Sequence, residues 1–61
     1  MIKKCYLLNS DKPTIAAISR LAHRIPCFID TKTVDDHRFE LYITCRAEDI
    51  TTVERALARY V

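Results

Sequence analysis

The stretch Cys27–Cys45, CFIDTKTVDDHRFELYITC, decides the fold, because it can pair with itself when the chain is folded about Asp36. The residue numbers of each pair of partners then sum to 72, so that Lys32 opposes Glu40. One side carries this opposite-charge pair and the other is mostly apolar, which is typical of an antiparallel hairpin with one buried face. The apolar side pairs Cys27 with Cys45, Ile29 with Ile43, Thr31 with Leu41 and Thr33 with Phe39. A slip of one residue would turn every side chain to the wrong face, so the pattern also predicts the register.

The segment before the hairpin predicts a strand followed by a helix. Ile2–Leu8 has the composition of a strand, although either set of alternate side chains is apolar enough to face a core. Ser10 or Asp11 is suited to cap a helix that runs to about Arg24. The positive charge of Arg24 is favourable at the C-terminal end of such a helix. Pro26 then ends the helix and favours an extended chain.

A second helix is predicted after the hairpin. Glu48 and Asp49 place negative charge at its start, with Asp49 as a candidate cap, and an apolar stripe follows at Ile50, Val53 and Leu57. The order β-α-β-β-α, with a right-handed first crossover, leaves room for the third strand between the first two. We therefore expect one ferredoxin-like α+β domain over residues 1–61. Its antiparallel sheet has the order 1-3-2, two helices cover one face, and the fourth strand of that fold is missing.

Composition excludes several functions. The 61 residues are 49% hydrophobic and 30% charged, as in a small globular domain. The absence of glycine rules out glycine-rich phosphate loops and dinucleotide-binding turns. The net charge of +2 does not by itself indicate nucleic acid. No apolar run is long enough to span a membrane or to form a signal peptide, and three cysteines do not form a disulfide framework, so we expect a cytoplasmic protein.

The cysteines raise the question of a metal site. In the predicted topology Cys5, Cys27 and Cys45 lie at one end of the sheet, close to His23, and three cysteines with one histidine form a known zinc ligand set. Each ligand would come from a different element without a CxxC spacing, so we expect structural thiols and no metal or other cofactor. Neither histidine belongs to a recognisable triad, so we expect no enzymatic activity.

Aromatic residues suggest a surface on the sheet. Tyr42 projects to the face opposite Leu41 and Ile43, and Tyr6 would share that face if the first strand had the matching parity. Tyrosines on neighbouring strands stack bases in RNA-recognition motifs, so one hypothesis is a small nucleic-acid-binding module. Its contacts would be Lys4, Tyr6, Lys32, Arg38 and Tyr42.

The chain also resembles the ACT domains, and among them the small regulatory subunits of acetohydroxyacid synthase. The resemblance rests on Asn9-Ser10-Asp11-Lys12-Pro13, on the helix end Ile18–Arg24, and on the following strands and helix at Cys27–Thr33, Phe39–Cys45 and Asp49–Leu57. Thr14 and Ile25-Pro26 stand where the family has glycines. The resemblance implies side-by-side pairing of domains and an amino-acid effector held near Asn9, Ser10, Asp11 and Thr14.

We therefore expect a non-catalytic regulatory or protein-interaction module that forms a homodimer or binds a larger protein. The contacts would be the free edge of the first strand and the uncovered sheet face, through Tyr6, Phe28, Val34 and Tyr42. Besides nucleic-acid binding, a further hypothesis is a small phage-type or plasmid-type inhibitor of a larger complex.

Overall fold

A computed structural model describes the whole chain, Met1–Val61, and has the predicted order of elements. A short 3₁₀ turn at Ala47–Asp49 precedes the last helix, and another at Ala58–Tyr60 follows it. The strands and helices are β1 (Ile2–Asn9), α1 (Lys12–Arg24), β2 (Cys27–Thr33), β3 (Arg38–Cys45) and α2 (Ile50–Leu57). Neither helix has the length and apolar character that a membrane crossing requires.

The hairpin register is the predicted one. Strands β2 and β3 are antiparallel and pair Cys27 with Cys45 through to Thr33 with Phe39, and Lys32 opposes Glu40. Strand β1 pairs antiparallel with the other side of β3, from Ile2 opposite Cys45 to Asn9 opposite Arg38. The sheet order β1-β3-β2 confirms the predicted α+β fold.

Both helices lie on one face of the sheet. The fully buried apolar side chains come from α1, α2, β1 and β3, and the sheet residues among them all project to the same side: Leu8, Leu21, Leu41, Ile43, Cys45, Val53 and Leu57. The central strand β3 supplies three of them, because it is flanked on both sides, whereas β2 has no fully buried residue. Burial of these side chains, each contributing about 1.5–3 kcal/mol, is the main driving force for the fold.

The two helix starts differ from each other. Asp11 caps α1 as predicted, since its Oδ1 accepts a hydrogen bond from the Thr14 N–H at 3.0 Å, and Pro13 occupies the first turn. Asp49 occupies the N-cap position of α2, as predicted, but its side chain makes no capping hydrogen bond. The Asp49 carboxylate instead accepts a hydrogen bond from the Arg46 guanidinium at 2.9 Å. The 3₁₀ turn tightens this junction and positions Asp49 beside Arg46.

Candidate interaction face

The strand registers divide the sheet side chains between two faces. Directly opposed residues in an antiparallel sheet project to the same side, so the partners of Tyr42, which are Cys5 on β1 and Asp30 on β2, lie with it on the face away from the helices. We call this surface the open face. It comprises Lys3, Cys5, Leu7 and Asn9 of β1, Phe28, Asp30 and Lys32 of β2, and Arg38, Glu40, Tyr42 and Thr44 of β3.

Large apolar side chains are exposed on and beside the open face. Phe28 is 71% exposed and Leu7 45% exposed, although they lie on opposite edge strands. Val34, which follows β2 at the rim, is 49% exposed and donates its N–H to the Arg38 carbonyl at 3.2 Å. Three such side chains on one side of a small domain give it the apolar contacts that a protein partner would cover.

Tyr42 occupies the centre of the open face. Its hydroxyl donates a hydrogen bond to Glu40 Oε1 at 3.2 Å, and the Lys3 Nζ lies 5.3 Å from the centroid of its ring. Desolvation raises the pKa of the Tyr42 hydroxyl above its ordinary value, and the charge of Glu40 and the thiol of Cys5 add to this effect. The phenol therefore stays neutral and acts as a donor and as a flat contact surface.

The open face carries charges of both signs, with Lys3, Lys32 and Arg38 interspersed with Asp30 and Glu40. Lys32 opposes Glu40 across the hairpin, and Asp30 opposes Tyr42. Arg38 is held in place by Asp35, whose Oδ2 accepts hydrogen bonds from the guanidinium at 3.0 and 3.2 Å. The face therefore has no continuous positive potential of the kind that binds a nucleic-acid backbone.

The alternation of hydrogen bonds shows which backbone groups are free on β1, one of the two edge strands. Ser10 donates its N–H to the His37 carbonyl at 2.7 Å, which extends the β1–β3 ladder by one pair. Bonded pairs alternate along an antiparallel ladder, so the even-numbered residues of β1 direct their backbone groups toward β3. The odd-numbered residues therefore have outward N–H and C=O groups with no partner strand: Lys3, Cys5, Leu7 and Asn9. An edge of this length is a template for another strand.

Tyr6 is not on the open face, because β1 does not have the parity that would place Tyr6 on the same side of the sheet as Tyr42. It opposes Leu41 and packs against the core beneath the helices. Its hydroxyl is buried without a hydrogen-bond partner, and burial raises the pKa of Tyr6, with Glu54 and Cys45 adding to the shift. The register with β3 decides this parity, and β1 alone did not reveal it because both of its faces are partly apolar.

The predicted nucleic-acid contacts are divided in the same way. Lys4 opposes Ile43 and lies with Tyr6 on the helix-covered face, whereas Lys32, Arg38 and Tyr42 lie on the open face. The prediction of one surface with two tyrosines and three cations is therefore wrong. The lysine that does accompany Tyr42 is Lys3, which sequence reasoning missed together with the parity of β1.

The predicted effector residues lie close together at the start of α1. Asn9 ends β1, Ser10 is tied to His37, Asp11 is the cap, and Thr14 is buried with 1% exposure. The side chain and backbone N–H of Thr14 stabilise the Asp11 carboxylate and lower its pKa. Because Asp11 occupies the N–H of Thr14 and Pro13 has none, a ligand carboxylate would meet an existing negative charge rather than free donors.

The four candidate zinc ligands do not form a metal site. Cys27 and Cys45 oppose each other on the helix-covered face, but Cys5 opposes Tyr42 on the open face. No group of three or more histidine, cysteine or acidic side chains is arranged to hold a metal ion, and His23 is exposed on α1. Desolvation raises the pKa of Cys27, with Cys45 and Asp49 adding to the shift, so its thiol stays protonated.

Two concave surfaces were not predicted. One, of about 320 Å³, lies between α1 and the hairpin, and its apolar wall is formed by Ile15, Ile18 and Phe39. The other, of about 340 Å³, lies between α1 and α2 and is lined by four arginines. The sequence contained a signal for the second, since Arg55 and Arg59 are one helical turn apart without an acidic partner between them.

Comparisons with family models, with curated proteins and with solved structures gave no match. The resemblance to ACT domains therefore stays a prediction from the sequence.

Proposed function

We propose that this protein is a non-catalytic regulatory or protein-interaction module. Two copies pair through their β1 edges, and the resulting six-stranded sheet presents a continuous open face to a larger protein. The observation that carries the proposal is the row of outward backbone groups on β1, which extends along the whole strand Ile2–Asn9.

Symmetry favours one register for the paired edges. If Tyr6 lies on the twofold axis, Lys3 pairs with Asn9 of the second copy and Cys5 with Leu7 of the second copy. This register uses every outward N–H and C=O group of both strands and places no two lysines opposite each other. The side chain of Tyr6 then meets its counterpart beneath the helices, which offers its orphan hydroxyl a partner.

The hydrogen bonds of the paired edges are sufficient for a dimer of moderate affinity. The register forms about eight backbone hydrogen bonds, each worth about 0.5–1.5 kcal/mol net. Association costs at least about 4 kcal/mol in lost rigid-body freedom, so the edge alone gives a modest surplus. Apolar side chains close to the seam, such as Leu7, add to this surplus by leaving water.

The open face suits a protein partner better than a nucleic acid. It combines a central tyrosine, exposed apolar groups at both edge strands and interspersed charges of both signs. Interfaces between proteins are enriched in aromatic residues at their centre and have a polar rim. A nucleic-acid surface would instead need unpaired cations along the face, and Arg38 is occupied by Asp35.

Light scattering over a dilution series tests the proposal. We expect a mass of about twice 7.1 kDa at high concentration that falls toward the monomer on dilution. High salt should change this mass little, because the edge is held by backbone hydrogen bonds. A monomer at every concentration would contradict edge pairing. Salt-sensitive binding of single-stranded RNA to the open face would instead favour the nucleic-acid hypothesis.

A further inference from the structure

A groove between α1 and the segment formed by α2 and its following 3₁₀ turn is lined by four arginines. Arg20 and Arg24 of α1 form one wall, and Arg55 and Arg59 form the other. The floor is made by small and buried residues of the helices, and Tyr60 also lines the cavity of about 340 Å³. A smaller cavity of about 250 Å³ continues the groove past Arg24 and Arg55 to Thr52.

The helix geometry explains why the arginines converge. Arg20 and Arg24 are four residues apart on α1, so they project from one side of that helix. Arg55 lies on α2 and Arg59 in the 3₁₀ turn that follows it, and both line the same cavity. The cavity linings bring Arg24 close to Thr52, at the start of α2, and Ala17 close to Tyr60, beyond its end, so the helices run antiparallel. The two pairs therefore face each other across the groove.

None of the four guanidiniums has a carboxylate partner. The ion pairs of the protein involve only Arg38 and Arg46, and no hydrogen bond is donated by the side chains of the groove arginines. Helix α1 contains no acidic residue. The acidic residue of α2, Glu54, lies near the Tyr6 hydroxyl, which packs on the sheet side.

This arrangement costs folding free energy in the absence of a ligand. Like charges at positions i and i+4 destabilise a helix by about 0.2–0.5 kcal/mol per pair, which applies to Arg20 and Arg24 on α1, and the arginines of the two walls also repel each other across the groove. Arginine binds phosphate oxygens through two parallel N–H bonds, and guanidiniums on opposite walls can contact different phosphate groups. The cavity lies at the lower end of the range of about 300–1,000 Å³ found for small-molecule sites.

We propose that the groove binds a small molecule with two or more adjacent phosphoryl groups. A diphosphate or triphosphate chain is short enough to fit the cavity and carries enough negative charge for both arginine pairs. The site goes beyond the proposed module function, because it lies on the helical layer, away from the open face. A ligand can therefore occupy it whether or not the sheet edge is paired.

The experiment is a calorimetric titration with inorganic tripolyphosphate, with backbone amide shifts recorded to locate the site. The test variant is Arg20→Gln/Arg55→Gln, which removes one charge from each wall. The matched control is Lys3→Gln/Lys32→Gln, which removes the same charge from the open face. We expect about tenfold weaker binding for each arginine removed, and less than about twofold weakening in the control. Amide shifts should centre on Ala17 and Ala56.

The outcomes separate the proposal from nonspecific charge effects. Equal weakening in both double variants, or no binding near about 1 mM tripolyphosphate, would overturn the site. Tighter binding of a poly-glutamate peptide or of single-stranded RNA would overturn the assignment to a small phosphorylated molecule. The arginine variant should remain folded and be at least as stable as the wild type, because it relieves like-charge repulsion.

Discussion

The alternation of backbone groups on β1 makes a sharp prediction about two adjacent lysines. Lys4 opposes Ile43 and directs its N–H toward β3, whereas the N–H of Lys3 points outward from the sheet. Proline at either position removes one N–H and one positive charge. The variants Lys3→Pro and Lys4→Pro are therefore matched in composition, and they remove the N–H from opposite sides of the strand.

The expected loss of stability depends on whether the N–H that proline removes has a hydrogen-bond partner in the monomer. Lys4→Pro removes a ladder hydrogen bond and leaves the carbonyl of Ile43, a residue with 0% exposure, without its donor. We expect a loss of about 2–4 kcal/mol in the free energy of unfolding. Lys3→Pro should cost less than about 1 kcal/mol, because proline is tolerated where an edge N–H faces solvent. In the proposed dimer Lys3→Pro removes two intermolecular donors and should weaken association by about 5- to 150-fold.

Urea denaturation of the two variants and of the wild type measures the first effect, and light scattering measures the second. Lys4→Pro should be much less stable, while Lys3→Pro should keep its fold and lose its dimer. Equal destabilisation by the two prolines would refute the assignment of the free edge to the odd-numbered residues. A Lys3→Pro variant that still dimerises as the wild type does would refute pairing through this edge.

Three further predictions concern single side chains. Tyr42→Ala should leave the dimer mass in light scattering unchanged, because Tyr42 lies on the central strand and faces the open side of the sheet rather than the β1 seam; loss of the dimer in this variant would contradict pairing through the edge alone. At a concentration low enough to keep the protein monomeric, Tyr6→Phe should raise the free energy of unfolding in urea by about 1 kcal/mol, because a buried hydroxyl without a partner costs about 1–3 kcal/mol; a loss of stability at that dilution would show that this hydroxyl has a partner within the monomer. Asp11 has a pKa lowered below 3.8 in the folded state, so its contribution to stability is lost as the pH falls through that lowered pKa. Thermal melting at a series of pH values should therefore fall less steeply below about pH 4 for Asp11→Asn, which keeps the cap but does not titrate; identical pH profiles would contradict this.

The hairpin was predictable because several signals from residues close together in the sequence agree on the same pairing. Apolar residues, a charged pair and a short polar loop all favour the same register, and any slip exposes the apolar side. The Asp35 carboxylate supports the loop by accepting the N–H groups of His37 and Arg38, at 2.8 and 2.9 Å. The loop therefore forms without glycine and without a residue at positive φ.

The parity of β1 was not predictable from β1 itself. Tyr6 and Leu8 alternate with Cys5 and Leu7, and both sets are apolar enough to face a core. The register with β3 selects Leu8 for burial and leaves Leu7 exposed, and that register depends on pairing across the sheet. The errors on Tyr6, Lys4 and the cysteine cluster all follow from this one undetermined parity.

The missing side-chain cap of α2 and the arginine groove were not predicted, for different reasons. Asp49 is a favourable capping residue by type, but the nearby Arg46 competes for its carboxylate at 2.9 Å. The groove joins residues of α1 to residues more than thirty positions later, and only the packing of the two helices brings them together. Single-helix patterns indicate an exposed charged face and do not reveal that two such faces meet.

Amide hydrogen exchange along β1, measured at several protein concentrations, tests the central claim most directly. Edge pairing predicts that the amides of Lys3, Cys5, Leu7 and Asn9 become protected as concentration rises, whereas those of Lys4, Tyr6 and Leu8 are protected at every concentration. Fast exchange of the odd-numbered amides at all concentrations, with the even-numbered ones protected, would contradict the claim that this edge joins two copies.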